Sequence, residues 1–268
     1  MKKRTSGFTL VELIVVVAIL AVLATLVLPR LDGLQSNANH AVGAASAVET
    51  ANYVQVWRSS KNRYPDGWDS LVSGSSLWNA ADPSTSPKTR GLHLQLSGSG
   101  SSNKLASATL SDAEVTALKG AGIYTLYSPN ASASASVRPG DMFTLPNAIS
   151  SSTTVAIVNP SSSGGQKIID HVYRDNQVNT GNTGVVPGGG KLVAFGLGSH
   201  NEMIGKTLME VPTYANVDST LVYNRNLVLF EVGPGASGSS TKVTFRGVLG
   251  ADGDLIDDMA SSMNKDIN

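Results

Sequence analysis

From Phe8 to Leu28 the chain is apolar at all but three positions, Thr9, Glu12 and Thr25. Coiled as a helix at 1.5 Å per residue, this stretch spans roughly 30 Å, the thickness of a bilayer's hydrocarbon core. Pro29 follows, a residue that removes a backbone donor and crowds the carbonyl four positions earlier. Beyond it, Leu31, Leu34, Ala38, Ala41, Ala45 and Val48 recur at three-four spacing, the signature of an amphipathic helix with one apolar stripe. Gly33 and Gly43 lower the local helix propensity. The helical pattern stops at Tyr64-Pro65, with a turn at Asp66-Gly67. These positions predict one interrupted helix over about 8–60, with a membrane-spanning half (8–29) and an amphipathic half (30–60).

The remainder, 61–268, changes period. Apolar and β-branched clusters at 123–127, 153–158, 167–173, 191–196, 219–223, 226–232 and 241–249 predict strands. Asn224-Arg225-Asn226 would be the hairpin loop between two of them. Ser111-Asp112-Ala113-Glu114 has the spacing of a capping box and Gly120 a stop, which predicts a short helix over 112–119. Helical pieces are expected at 200–209 and 254–264. Tyr64, Trp68 and Trp78 are expected in the core. Ser97–Ser102, Ser132–Ser136 and Gly184–Gly190 read as Ser/Gly-rich loops that bury little. Strands grouped after a long helix define an α+β fold, an antiparallel sheet packed on the second half of the rod.

Charge adds direction. Lys2, Lys3 and Arg4 precede the apolar run, which places the N-terminus on the cytoplasmic side and the globular part beyond the membrane. No small-residue pattern follows the run, since it ends Val27-Leu28-Pro29-Arg30, so it reads as a retained anchor. Over the whole chain, 20 Lys and Arg balance 20 Asp and Glu, and there is no cysteine. That rules out disulfides and thiolate metal sites, and no large basic field favours nucleic acid.

The segment Gly7-Phe8-Thr9-Leu10-Val11-Glu12, behind its basic tip, resembles the processing site of type IV pilins and type II secretion pseudopilins. The resemblance implies that residues 1–7 are a leader, that a prepilin peptidase cuts between Gly7 and Phe8, and that Phe8 becomes the N-methylated first residue. Glu12 then corresponds to the family's acid at mature position five, and Pro29 to its helix-disturbing proline. Implied partners are other pilins in a helical filament, the peptidase, a platform protein, a cytoplasmic ATPase and the membrane. Implied localisation is the inner membrane, single-pass, with the domain outside, and then the filament.

The physics of Glu12 follows from that cut. A carboxylate in hydrocarbon costs roughly 2.5–3.5 kcal/mol on insertion scales. Cleavage would create an ammonium at Phe8, one turn away on the same face, and a neighbouring copy shifted along the axis would offer its own. Glu12 is therefore expected to set subunit register during assembly.

Among other chemistry, His40, His93, His171 and His200 have no metal-ligand spacing, and the glycines before Lys191 do not complete a phosphate loop. No nucleophile motif stands out, so no enzyme is expected. Asp252, Asp254, Asp257 and Asp258 crowd four carboxylates into seven residues, hard oxygen ligands of the kind calcium takes. The family resemblance adds a calcium site in this C-terminal region. Two functions are therefore carried forward: a structural filament subunit, and a minor or tip pilin acting as an adhesion or DNA-binding module, for which Lys88 with Arg90 is the best local basic pair.

Overall fold

The computed structural model describes residues 9–82, 84, 88–98, 102–130, 132–134, 136–173, 186, 189–214, 217–234 and 241–259. Helix α1 (Leu10–Lys61) is 52 residues long and is sealed at both ends. Thr9 caps its start, and Asn62, in the left-handed conformation at φ 53°, donates its N–H to the Arg58 carbonyl at its end. The helix continues through Pro29, so the expected interruption does not occur. One missing i→i−4 bond is a small loss in a ladder this long.

Among the described residues there follow β1 (Trp68–Asp69), β2 (Val72–Ser73), β3 (Ser76–Leu77), α2 (Leu94–Ser97), β4 (Leu105–Thr109), α3 (Asp112–Gly120), β5 (Thr125–Pro129), β6 (Phe143–Ala148), β7 (Thr154–Val158), α4 (Ser163–Val172), β8 (Lys191–Gly196), β9 (Leu227–Pro234) and β10 (Thr241–Leu249). Eight of these strands form one sheet among the described residues, in the order β10-β9-β8-β1-β5-β6, with β7 joining β8 to β4. All pairings in it are antiparallel except β1 with β5. β8 is the branch point: Ala194 and Val193 pair with β7, and Gly196, at its far end, pairs with Asp69 of β1. The α+β class and the largely antiparallel sheet are as the pattern predicted.

Side chains alternate across the central strands, and both faces are covered. Val193, Phe195, Val228, Phe230 and Val232 face α1 and α3, while Leu192, Ala194, Leu227 and Leu229 face α2, α4 and the long connections. Burial on two faces is why 191–196 and 226–232 are continuous apolar runs. Phe230 is the aromatic centre of the helix side, with Tyr64 and Trp68 meeting it edge-on at 4.9 and 5.5 Å. Tyr64, Trp68 and Trp78 are all buried, as expected.

Several sequence expectations need correction. Residues 167–172 are helical, within α4, because Ser162 caps Gly165 and turns Ile168 and Ile169 inward together, and Tyr173 ends the helix. Residues 219–223 form turns held by isolated bridges, so Asn224–Asn226 is no hairpin loop and instead leads a buried chain into β9. Residues 200–209 are successive turns. Residues 256–259 make one helical turn, and 260–264 lie outside the described residues.

The buried face of α1 is also different from the one predicted. Ala38, Ala45 and Val48 are exposed, whereas Gly43, Ala47, Thr50, Val54 and Trp57 are buried. Gly43 belongs to this face because the Tyr214 ring lies against it: a Cβ there would fall 2.4 Å from Tyr214 Cε2.

Candidate functional site

The region of functional interest is α1 and its seat on the sheet. Thr9 and Glu12 close a reciprocal capping box. Thr9 Oγ1 accepts the Glu12 N–H at 3.3 Å, and Glu12 Oε2 accepts the Thr9 N–H at 2.8 Å and the Thr9 hydroxyl at 2.9 Å. Within one chain, the acid is therefore already occupied by the orphan donors at the helix start. The Thr-x-x-Glu spacing signals this role in the sequence, alongside the assembly role expected for Glu12. Gly7 and Phe8 lie outside the described residues, as do the side chains of 26–34, Pro29 among them.

The large apolar side chains from Leu10 to Leu23 are each at least half exposed. Among the described residues no helix is long and apolar enough to cross a membrane. Within the apolar run, the Thr25 hydroxyl donates to the Val22 carbonyl.

Docking of the second half is both apolar and polar. Val54 and Trp57 enter the main core. Beside them, the Asn226 amide, fully buried, donates to Thr50 Oγ1 at 3.0 Å and to Ser46 Oγ at 3.2 Å. At the helix end, Arg63 forms a two-pronged pair with Glu202 at 2.6 and 3.0 Å, and the Asp66 N–H donates to the same carboxylate. Arg63 holds the Glu202 carboxyl below its ordinary range, although both side chains are about one third exposed. Asp66 Oδ1 in turn accepts the N–H groups of Tyr124 and Thr125. Position 67 calls for glycine on two counts: its φ is 80°, and a Cβ would strike the His200 carbonyl. The Tyr-Pro-Asp-Gly segment thus locks the rod to β5 and to the turns at 200–209.

One acid the sequence did not single out lies beneath this junction. Asp69 is fully buried, its Oδ2 accepts the Tyr223 hydroxyl at 2.7 Å, and its Oδ1 has no partner. Burial pushes its pKa well up, against the opposing Tyr223 bond and the attraction of Arg225.

The four C-terminal aspartates do not converge. Asp252 turns inward to Tyr214, whose hydroxyl donates to it at 2.9 Å, while Asp254 pairs with Lys104. Asp257 is exposed and 3.7 Å from His171 Nε2, and Asp258 is exposed. Among the described residues no group of three or more His, Cys, Asp or Glu is placed to hold a metal ion. Calcium does not fit this arrangement. Arg90 of the basic pair is committed to the carbonyls of Ala133, Ser134 and Val137.

With that geometry in view, the comparison with known proteins is specific at the N-terminus. Residues 2–28 match the prokaryotic N-terminal methylation motif, so the chain opens with the segment typical of pilins and pseudopilins. Over 75 residues, 27% of this chain, it is 36% identical to the type II secretion system core protein G of Aeromonas hydrophila. The chain spans about half the length of that relative, 52%. No solved structure matches.

Proposed function

We propose that the chain is a structural subunit of a filament, a type II secretion pseudopilus or a related type IV pilus, with no turnover of its own. A prepilin peptidase cuts between Gly7 and Phe8 and methylates Phe8. Residues 8–29 hold the subunit in the inner membrane with the domain outside, and a platform protein and ATPase then draw it into the filament. The observation that carries this reading is a methylation motif ending in a helix whose leading side chains are apolar all round and unpartnered. A helix of that kind is stable only inside other apolar matter, first lipid and then neighbouring rods. Similarity to core protein G favours the pseudopilus.

In this reading Glu12 leaves the capping box for the ammonium of an adjacent subunit's Phe8, and Pro29 lies where the unbroken helix leaves the membrane. The paired charges gain from low dielectric and pay desolvation, so their value lies in register more than in bulk stability. Mass spectrometry of the mature N-terminus tests the cut: methylated Phe8 is expected with the peptidase, and an intact Met1 in its presence would reject the reading. Cross-linking of whole cells tests assembly: Glu12→Ala is expected to abolish ladders of subunits, and unchanged ladders would remove Glu12 from the mechanism.

A further inference from the structure

The acidic C-terminal loop has an oxygen cluster, but a side chain of the protein already fills it. Lys104, one residue before β4, reaches across to this loop and is mostly buried, its side chain 15% exposed. Its Nζ donates to Gln95 Oε1 at 2.7 Å, to Asp254 Oδ1 at 2.7 Å and to the Asp252 carbonyl at 3.2 Å. An ammonium has three donors, and here all three are used. The three oxygens come from α2, from an aspartate side chain and from the backbone of the turn after β10. A side-chain amide, a carboxylate and a main-chain carbonyl are the mixture a small hard cation would gather.

The surroundings are shaped to admit the lysine. Gly253 sits at φ 79° directly under its stem, and a Cβ there would fall 2.7 Å from Lys104 Cδ and 2.5 Å from Leu96 Cδ2. Asp252 presents its carbonyl to the ammonium because its carboxylate faces the other way, held by the Tyr214 hydroxyl and the Asp254 N–H. Burial lowers the pKa of His93, which borders the cluster. The backbone of Lys104 adds two ties, its N–H to the Gln95 carbonyl and its carbonyl to the Asn159 N–H.

We infer that the Lys104 ammonium is the resident cation of this loop, closing the C-terminal turn onto α2 and β4 in the place where a metal ion would otherwise be recruited. The C-terminal region is therefore independent of calcium. The ammonium and the Asp254 carboxylate lie 2.7 Å apart with side chains 15% and 30% exposed, so the pair is partly shielded from solvent.

Thermal unfolding of the full-length chain in detergent, in excess calcium and in excess chelator, tests this. The wild type is expected to melt at the same temperature in both. A site filled to a hundredfold over its dissociation constant would instead raise the midpoint by roughly 5–10 °C, and such a rise would overturn the inference. Lys104→Met and Asp254→Asn are each expected to lower the midpoint by about 4–8 °C, and the double variant by little more than either alone. Additive losses would show that the two side chains act independently and would also reject the inference. Should Lys104→Met not fold, the calcium comparison on wild type and Asp254→Asn decides. None of these readouts depends on filament formation, so failure here leaves the assembly reading standing, and the reverse.

Discussion

Along α1, the large apolar side chains from Leu10 to Leu23 are at least half exposed, whereas from Gly43 to Trp57 every third or fourth residue is buried against the domain. Large aliphatic residues fill the first half on all sides, and no single protein surface could cover them. The second half buries a narrow face built from Gly43, Ala47, Thr50, Val54 and Trp57, and leaves Val42, Val48 and Val56 exposed. One half is designed for apolar surroundings supplied by something else, the other for its own domain. The contrast teaches that hydrophobic content alone does not locate the core; the number of apolar faces does.

The largest effect on folding should come from the buried half. Trp57 lies at 2% exposure among the core side chains, with Lys206 Nζ 5.4 Å from its ring centre. Trp57→Ala is expected to cost about 3–5 kcal/mol in chemical unfolding of the full chain. A loss below about 1 kcal/mol would mean that the rod is not integral to the domain, and the comparison would break. Asn226→Ala comes next. It withdraws two donors from the helix, but Thr50 keeps its own bond to the Ser46 carbonyl, so the expected cost is about 1–2 kcal/mol. A matching loss in Thr50→Val with little further change in the double variant would assign the cost to this bond.

The same pattern of legibility runs through the sequence. Strand 241–249 and the capping box at Ser111 were readable because local chemistry and tertiary environment agree there. The buried face of α1 was not, because Ala, Gly and Val are spread over several faces and only Tyr214, 171 residues further on, selects Gly43. β1, β4 and β6 escaped because they are short or rich in Ser, Ala and Pro, and are held by their neighbours more than by propensity. The N-terminal segment was legible for a different reason: processing requires a local string of residues, and such a string needs no fold. The aspartate cluster misled because side-chain direction decides ligation, and here it sends Asp252 inward and Asp254 to Lys104.

Two acids under the helix junction sharpen the comparison through pH. Asp69 has a folded-state pKa above its unfolded one, since burial disfavours the anion. The native state therefore holds its proton more tightly, and the stability this confers is full below the unfolded pKa and is lost as pH rises through the folded one. Asp69→Asn keeps an oxygen for Tyr223 and removes the charge. It should stabilise the protein at neutral pH, with the gain vanishing toward pH 4. Glu202 runs the opposite way: its pKa is lowered, so its contribution is present above the unfolded value and fades as pH falls through the folded one. Being partly exposed, that pair should matter less. Midpoints of unfolding between pH 3 and 8 distinguish the two, and a stability loss in Asp69→Asn at neutral pH would show that the buried carboxylate is needed as an anion.

The smallest expected effect is the most telling one. Every described bond of Glu12 stays within the first turn, to Thr9, and no side chain of the domain reaches it. Glu12→Ala should therefore leave the melting temperature of the globular part unchanged, because fraying of an exposed turn does not propagate through a helix anchored from Gly43 onward. Trp57→Ala should do the reverse, weakening the domain while leaving the N-terminal segment chemically intact for cleavage. If Glu12→Ala lowered the domain's midpoint, its failure to assemble would be a folding defect, and the division of the helix into an outward and an inward half would be lost. If it assembles poorly with an unaltered melt, the acid acts between subunits.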